Sequence, residues 1–162
     1  MPAGAACAVG LLYAAVSAYW AAGGTQLLNT VGGVFEEAGR SGALDVALLI
    51  WLVVMVKVVA AALPLAAVAG SGPLAMRRLT HTLAWLKGAI LTGYGLILTV
   101  VGLLVEARII AAGSHADHLA LRWHAYLWDP WFLLWGLLVL GAMFRSHAAR
   151  NFKPGSLPAK GS

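Results

Sequence analysis

The chain has 162 residues, 61% of them hydrophobic and 10% charged, with a formal net charge of +5. A soluble domain carries roughly 25% charged residues; so sparse a charge cannot cover a water-facing surface, and lipid must be the main solvent. The basic residues are not gathered on one soluble face, which argues against a nucleic-acid partner, and a single cysteine, Cys7, rules out a disulfide framework or a thiolate metal cluster.

At this length the chain is one domain. Its first apolar run, about 5–23, is long, and nothing before Arg40 is positively charged. A cleaved signal peptide has a positive start and a short apolar core, so the run reads as a retained helix. It closes with Tyr19-Trp20-Ala21-Ala22-Gly23-Gly24-Thr25-Gln26. The plain reading is an aromatic belt followed by a glycine cap. The functional reading is a glycine turn that a ligand can approach, with Thr25, Gln26 and Asn29 hydrogen-bonding at a cavity mouth. The connection 24–42 mixes apolar and polar residues with Gly32-Gly33 and the acids Glu36 and Glu37, and reads as a lid or a short surface helix.

The second run, about 44–68, carries Lys57 at its middle. A lysine at mid-bilayer costs about 2.5–3.5 kcal/mol, so it should face the bundle interior. Tyr94 and Thr92 or Thr99 of the third run are its expected neighbours. It is either a proton-transfer group or a packing residue bonded to hydroxyls and carbonyls. The third run, about 83–105, ends at Glu106. Its glycines at 88, 93, 95 and 102, with Gly136 and Gly141 later, read first as helix-packing positions.

Between Glu106 and Trp128 lie His115, Asp117, His118, Arg122, Trp123 and His124. Residues three apart share a helix face, so His115 and His118 invite a metal reading. The pattern lacks the glutamate of zinc helices and reads better as a solvated loop, with a short interfacial helix over 119–126. Haem needs two histidines at one depth. His81 and His147 instead sit among basic residues at the membrane edge. No motif asks for a metal or a cofactor.

The fourth run, about 131–144, reaches spanning length only if it starts at Trp128-Asp129-Pro130. Aspartate accepts the free N–H groups of a first turn, and proline suits the first helical position, so Asp129-Pro130 reads as a helix start. The tail 151–162 reads as disordered. The fold class that follows is all-α, a four-helix transmembrane bundle in the cell membrane.

Arg77, Arg78 and Lys87 flank the second connection, and Arg145, Arg150, Lys153 and Lys160 follow the fourth helix. The positive-inside rule then makes both termini cytoplasmic. All six acids (Glu36, Glu37, Asp45, Glu106, Asp117 and Asp129) fall on the opposite side. Glu36, Glu37, Glu106 and Asp129 are expected to surround one outer-leaflet cavity. A carboxyl group held among tryptophans suits a general acid, and aromatic faces attract cations. With Trp20, Trp123, Trp128 and Trp131 as walls and Arg122 nearby, the expected chemistry is cofactor-free isomerisation or cyclisation of an apolar isoprenoid or lipid. The plainer readings are a helix cap for Asp129 and, for Glu106, a salt bridge to Arg108, Arg122 or Arg40. Two other functions stay open: a non-catalytic scaffold subunit, and a small transporter using Lys57, which at four spans would have to oligomerise. Membrane lipid is the implied partner, and the small-residue faces permit a homo-oligomer.

Two motifs resemble the DUF3995 family of small, mainly bacterial four-helix membrane proteins: Tyr19-Trp20-Ala21-Ala22-Gly23-Gly24-Thr25, and Tyr126-Leu127-Trp128-Asp129-Pro130-Trp131-Phe132-Leu133-Leu134-Trp135-Gly136. The family's function is unknown, so the resemblance implies a four-span layout in which the two motifs belong together. The layout is also similar, by fold-level analogy alone, to membrane sterol isomerases and small membrane terpene cyclases.

Overall fold

A computed structural model describes residues 2–70, 72–113 and 117–151. Among them there are helices and no strands: α1 (Pro2–Ala21), a 3₁₀ turn (Leu28–Thr30), α2 (Gly33–Ser41), α3 (Leu44–Ala69), α4 (Leu74–Glu106), α5 (His118–Trp123), a π-helical turn (His124–Trp128) and α6 (Asp129–Asn151). Four segments are long and apolar enough to cross a membrane: α1, α3, α4 and the continuous helix His118–Ala149. The chain is a membrane protein built as a helical bundle. The tail expectation over 152–162 lies outside the described residues.

The helices run alternately up and down. α1 packs closely on α3 and α4 on α6, while α1–α6 and α3–α4 contacts close the ring. The connection 22–43 and the described residues of the one after α4 (107–113 and 117) share one end of the bundle, here called the loop end. The core cluster is Ala6, Ala61, Ala67, Ala84, Trp135, Val139 and Met143. So many alanines are what membrane packing needs. With lipid as apolar as leucine, helices gain by close approach over small residues. A methyl group at Gly95 would fall on the Leu133 backbone, and one at Gly136 on the Thr92 backbone, so α4 and α6 cross there in near backbone contact. Gly88 and Gly102 likewise face Leu140 and Ala125, whereas Gly93 and Gly141 face open space. The large aliphatic side chains of α3, such as Leu48, Leu52 and Val59, point outward, where lipid replaces a protein core.

Two prolines sit inside helices. Pro64 of α3 has no N–H, so the Ala60 carbonyl one turn earlier lacks its usual donor. Lys87 of α4 supplies it: its Nζ donates to that carbonyl and lies 4.1 Å from the centroid of the Trp135 ring. Neighbouring helices commonly satisfy backbone groups freed by proline in this way. Lys87 was expected to flank the short connection. It stands instead thirteen residues, about 20 Å, inside α4 and is half-buried.

Pro130 corrects a second expectation. Asp129 does not start a helix. The helix begins at His118, and Asp117 caps it, accepting from the backbone N–H groups of Leu119 (2.9 Å) and Ala120 (3.1 Å). Asp129 lies in mid-helix with α dihedrals, and its N–H reaches back to His124 as a π turn. The ring of Pro130 would clash with the carbonyl four residues earlier, and a widened turn removes that clash. π-bulges are frequent at functional sites, and here Asp129, which closes the turn, is buried.

Candidate functional site

At the loop end, α1 finishes in a glycine turn. Gly23 has φ +91° and donates to the Trp20 carbonyl, and Gly24 donates to the Tyr19 carbonyl. A side chain at Gly24 would collide with the Tyr19 ring. The turn is therefore filled by the protein's own tyrosine rather than left open to a ligand. Thr25, Gln26 and Asn29 are exposed. Gln26 contributes its carbonyl, which accepts from Trp20 Nε1 at 2.9 Å.

Leu28 and Thr30 then dip into the bundle, both buried. Thr30 Oγ1 donates to the Leu27 carbonyl at 2.5 Å and accepts from Trp128 Nε1 at 3.1 Å. One turn away, His124 Nδ1 lies 3.2 Å from Asp129 Oδ1, and its Nε2 lies 3.3 Å from the Val31 carbonyl. A carboxylate and a carbonyl both only accept, and a neutral imidazole has one N–H. Both bonds together therefore call for the doubly protonated ring, paired with the Asp129 carboxylate. Gly32, at φ +68°, follows immediately, and a methyl group there would meet Ala120. The first loop is thus strapped across the π turn by backbone fit and two hydrogen bonds, and the His124–Asp129 pair within the helix fixes the ring that makes one of them.

Asp129 is only 4% exposed and is held by this strap. Tyr13, Trp128 and Trp20 stack edge-on beside it, with centroids 6.0 and 5.9 Å apart, and Phe132 bridges Tyr13 (5.1 Å) to Tyr94 (5.6 Å). Of the tryptophans expected to line a cation path, Trp20, Trp128 and Trp131 are packing partners and Trp123 is exposed. Trp128 is buried, and Trp131 Nε1 donates to the Val9 carbonyl at 3.3 Å.

Lys57 faces inward, as its energetic cost requires, but its neighbours differ from those expected. Its Nζ donates to Ser17 Oγ at 2.7 Å and sits 3.9 Å from the Tyr13 ring centroid, both on α1. The hydroxyls of Thr92 and Thr99 are buried without a partner among the described residues, and Tyr94 is half-exposed. The cause is helix adjacency: α3 lies closest to α1, which spacing along the sequence does not encode.

The four carboxylates expected around one cavity part company. Glu36 pairs with Arg40 at 2.9 Å on the surface of α2, Glu37 is exposed, and Asp129 is buried in the strap. Glu106 alone lines an open cleft of about 630 Å³, with Val105, Arg108, Ile109, Ile110, Ala111, Ala112, His118 and Arg122. Arg122 Nε stands 3.7 Å from Glu106 Oε2, and the arginine side chain is 68% exposed. Arg108 adopts φ +58°, which an L-residue rarely takes. The helix end behind the cleft is closed, because the N–H groups of residues 107–110 donate to the Leu103, Leu104 and Val105 carbonyls. No tryptophan is among the cleft residues, and Trp123 stands outside it.

From the sequence, His118 has only a metal reading that loses to a solvated loop, and Arg108 only a salt bridge to Glu106; neither is expected as a cleft residue. The signal available was their spacing, two residues after one helix and at the start of the next. His115 lies outside the described residues. Among those described, no group of three or more His, Cys, Asp or Glu side chains converges on a point that would hold a metal ion.

Residues 10–139 match the family model described as "Protein of unknown function (DUF3995)", and the chain belongs to that family. No curated protein and no solved structure matches it.

Proposed function

We propose that this DUF3995 protein is a multi-pass protein of the cell membrane, with both termini cytoplasmic, that handles an apolar isoprenoid or lipid at its outer-leaflet end. The cleft beside Glu106 is the site, and its chemistry is proton transfer. The carrying observation is that Glu106 is the one expected carboxylate that lines a cleft, while Glu36 and Asp129 are committed to ion pairs elsewhere and Glu37 is exposed on α2. The cleft is half apolar, with Ile109 71% exposed, so a hydrocarbon body can lie against it while a polar end meets the charges.

In an isomerisation, Glu106 starts as the neutral acid and gives its proton to one carbon of the substrate, and the carboxylate so formed takes a proton from a neighbouring carbon. No net proton is consumed. Arg122, 3.7 Å away, holds the carboxylate in place and balances its charge between the two transfers. Untargeted comparison of membrane lipids from cells expressing the wild type, Glu106→Gln or an empty vector tests this. An isomer pair whose ratio shifts with the wild type alone is the expected result. Identical lipid profiles in all three would refute the enzymatic reading. The ion pair to Arg122 also favours a second reading, binding of the same amphiphile without turnover. In that case lipid co-purifies with the wild type but is not converted.

A further inference from the structure

We propose that the cleft recognises the phosphate head of a phosphomonoester lipid. This rests on the site reading above and adds the substrate class to it. Three of the cleft's lining residues carry or can carry positive charge (Arg108, Arg122 and His118) against one acid, Glu106. Arg122 faces Glu106 through Nε, and with 68% of its side chain exposed its terminal nitrogens remain open. Among the described residues, Arg108 has no carboxylate within ion-pair reach. A planar guanidinium presents paired donors that match two phosphate oxygens, which an ammonium cannot do.

Two arginines facing one cleft make a trap for a dianion rather than for a carboxylate or an alcohol. The apolar half of the same cleft (Val105, Ile109, Ile110, Ala111 and Ala112) requires a chain attached to that head. The site sits where α4 ends at Glu106 and the last spanning helix begins at His118, the level at which the apolar stretches of both give way to charge. Headgroups lie at that level in a bilayer. Glu106 competes with the ligand for Arg122. It therefore sets affinity as well as supplying the proton-transfer group.

Native mass spectrometry of the detergent-solubilised protein tests this, with phosphatidic acid, the matching diacylglycerol and inorganic phosphate as separate probes. Phosphatidic acid should bind at least tenfold more tightly than diacylglycerol. Arg108→Gln with Arg122→Gln should remove that preference. Glu106→Gln should bind phosphatidic acid more tightly than the wild type, which also shows that a cleft variant still folds. Equal binding of diacylglycerol would overturn the phosphate assignment and leave the amphiphile site standing. Binding of inorganic phosphate as tight as that of phosphatidic acid would also overturn it, making the cleft a free-anion site. If neither lipid bound, the cleft reading itself would fall.

Discussion

Lys87 and Pro64 explain each other, and that mutual dependence can be measured. Lys87→Met removes the donor to the Ala60 carbonyl and the cation over the Trp135 ring. A hydrogen bond to a charged group contributes about 1.5–3 kcal/mol, and a desolvated cation–π contact about 2 kcal/mol. Against these stands the cost of holding lysine in the bilayer, about 2.5–3.5 kcal/mol. The single variant is therefore expected near balance, with a net loss of about 1 kcal/mol from these opposing terms. The informative quantity is the coupling to Pro64→Ala. Alanine at 64 restores an N–H that can reach the Ala60 carbonyl, so Lys87→Met no longer leaves that oxygen bare. The cation–π and desolvation contributions are the same in both backgrounds and cancel in the cycle. What remains is the unpaired carbonyl, about 1–3 kcal/mol. For a protein of this size that amounts to a difference of roughly 2–10 °C in Tm between the two backgrounds. Thermal unfolding of the four proteins in one detergent, followed by tryptophan fluorescence, gives the cycle. Additivity within about 0.5 kcal/mol would refute the idea that Lys87 replaces the donor missing at Pro64.

Lys57→Met should behave differently. Ser17 Oγ still donates to the Tyr13 carbonyl and no polar atom is stranded, so Tm should change by no more than about 3 °C, within roughly 1 kcal/mol; a fall much beyond that would show that Lys57 holds α1 to α3. Breaking the His124–Asp129 pair with Asp129→Ala should cost about 2 kcal/mol, below the value for a fully buried pair because the histidine side chain is 37% exposed. A cycle with His124→Gln should show positive coupling, and purely additive losses would contradict the strap. Gly95→Leu should abolish stable folding by driving a side chain into the Leu133 backbone, while Gly93→Leu, which meets open space, should express normally. Equal yields of the two would refute the close α4–α6 crossing.

The four spans could be read from sequence because twenty apolar residues have one cheap arrangement in lipid. The geometry around Asp129-Pro130 could not. That dipeptide suits a helix start, and it suits a π turn equally well once the preceding residues are helical. Deciding between them required knowing that 118–128 continues into α6. Lys87 stands near Arg77 and Arg78 in sequence, which suggests the short connection, but α4 runs 33 residues and carries the lysine deep inside. The partners of Lys57 depended on which helices are neighbours, a property of the bundle rather than of either helix. The carboxylates were grouped because they share one end of the molecule. Sharing an end is weaker than sharing a cavity, and local pairing to Arg40 and His124 removed two of them.

The strap over the π turn also bears on how the protein is made. Thr30 waits for Trp128, which lies 98 residues later in the chain, and Val31 waits for His124, 93 residues later. Until the last spanning helix enters the membrane, Thr30 has only its local bond to the Leu27 carbonyl, and the α1–α3 hairpin carries a polar loop whose remaining partners come from the π turn 124–128. Closure of the strap therefore coincides with completion of the bundle. A chain truncated before residue 124 would keep its first two hairpin helices and expose the unstrapped loop, the kind of unsatisfied surface by which a quality-control protease distinguishes unfinished membrane proteins from finished ones.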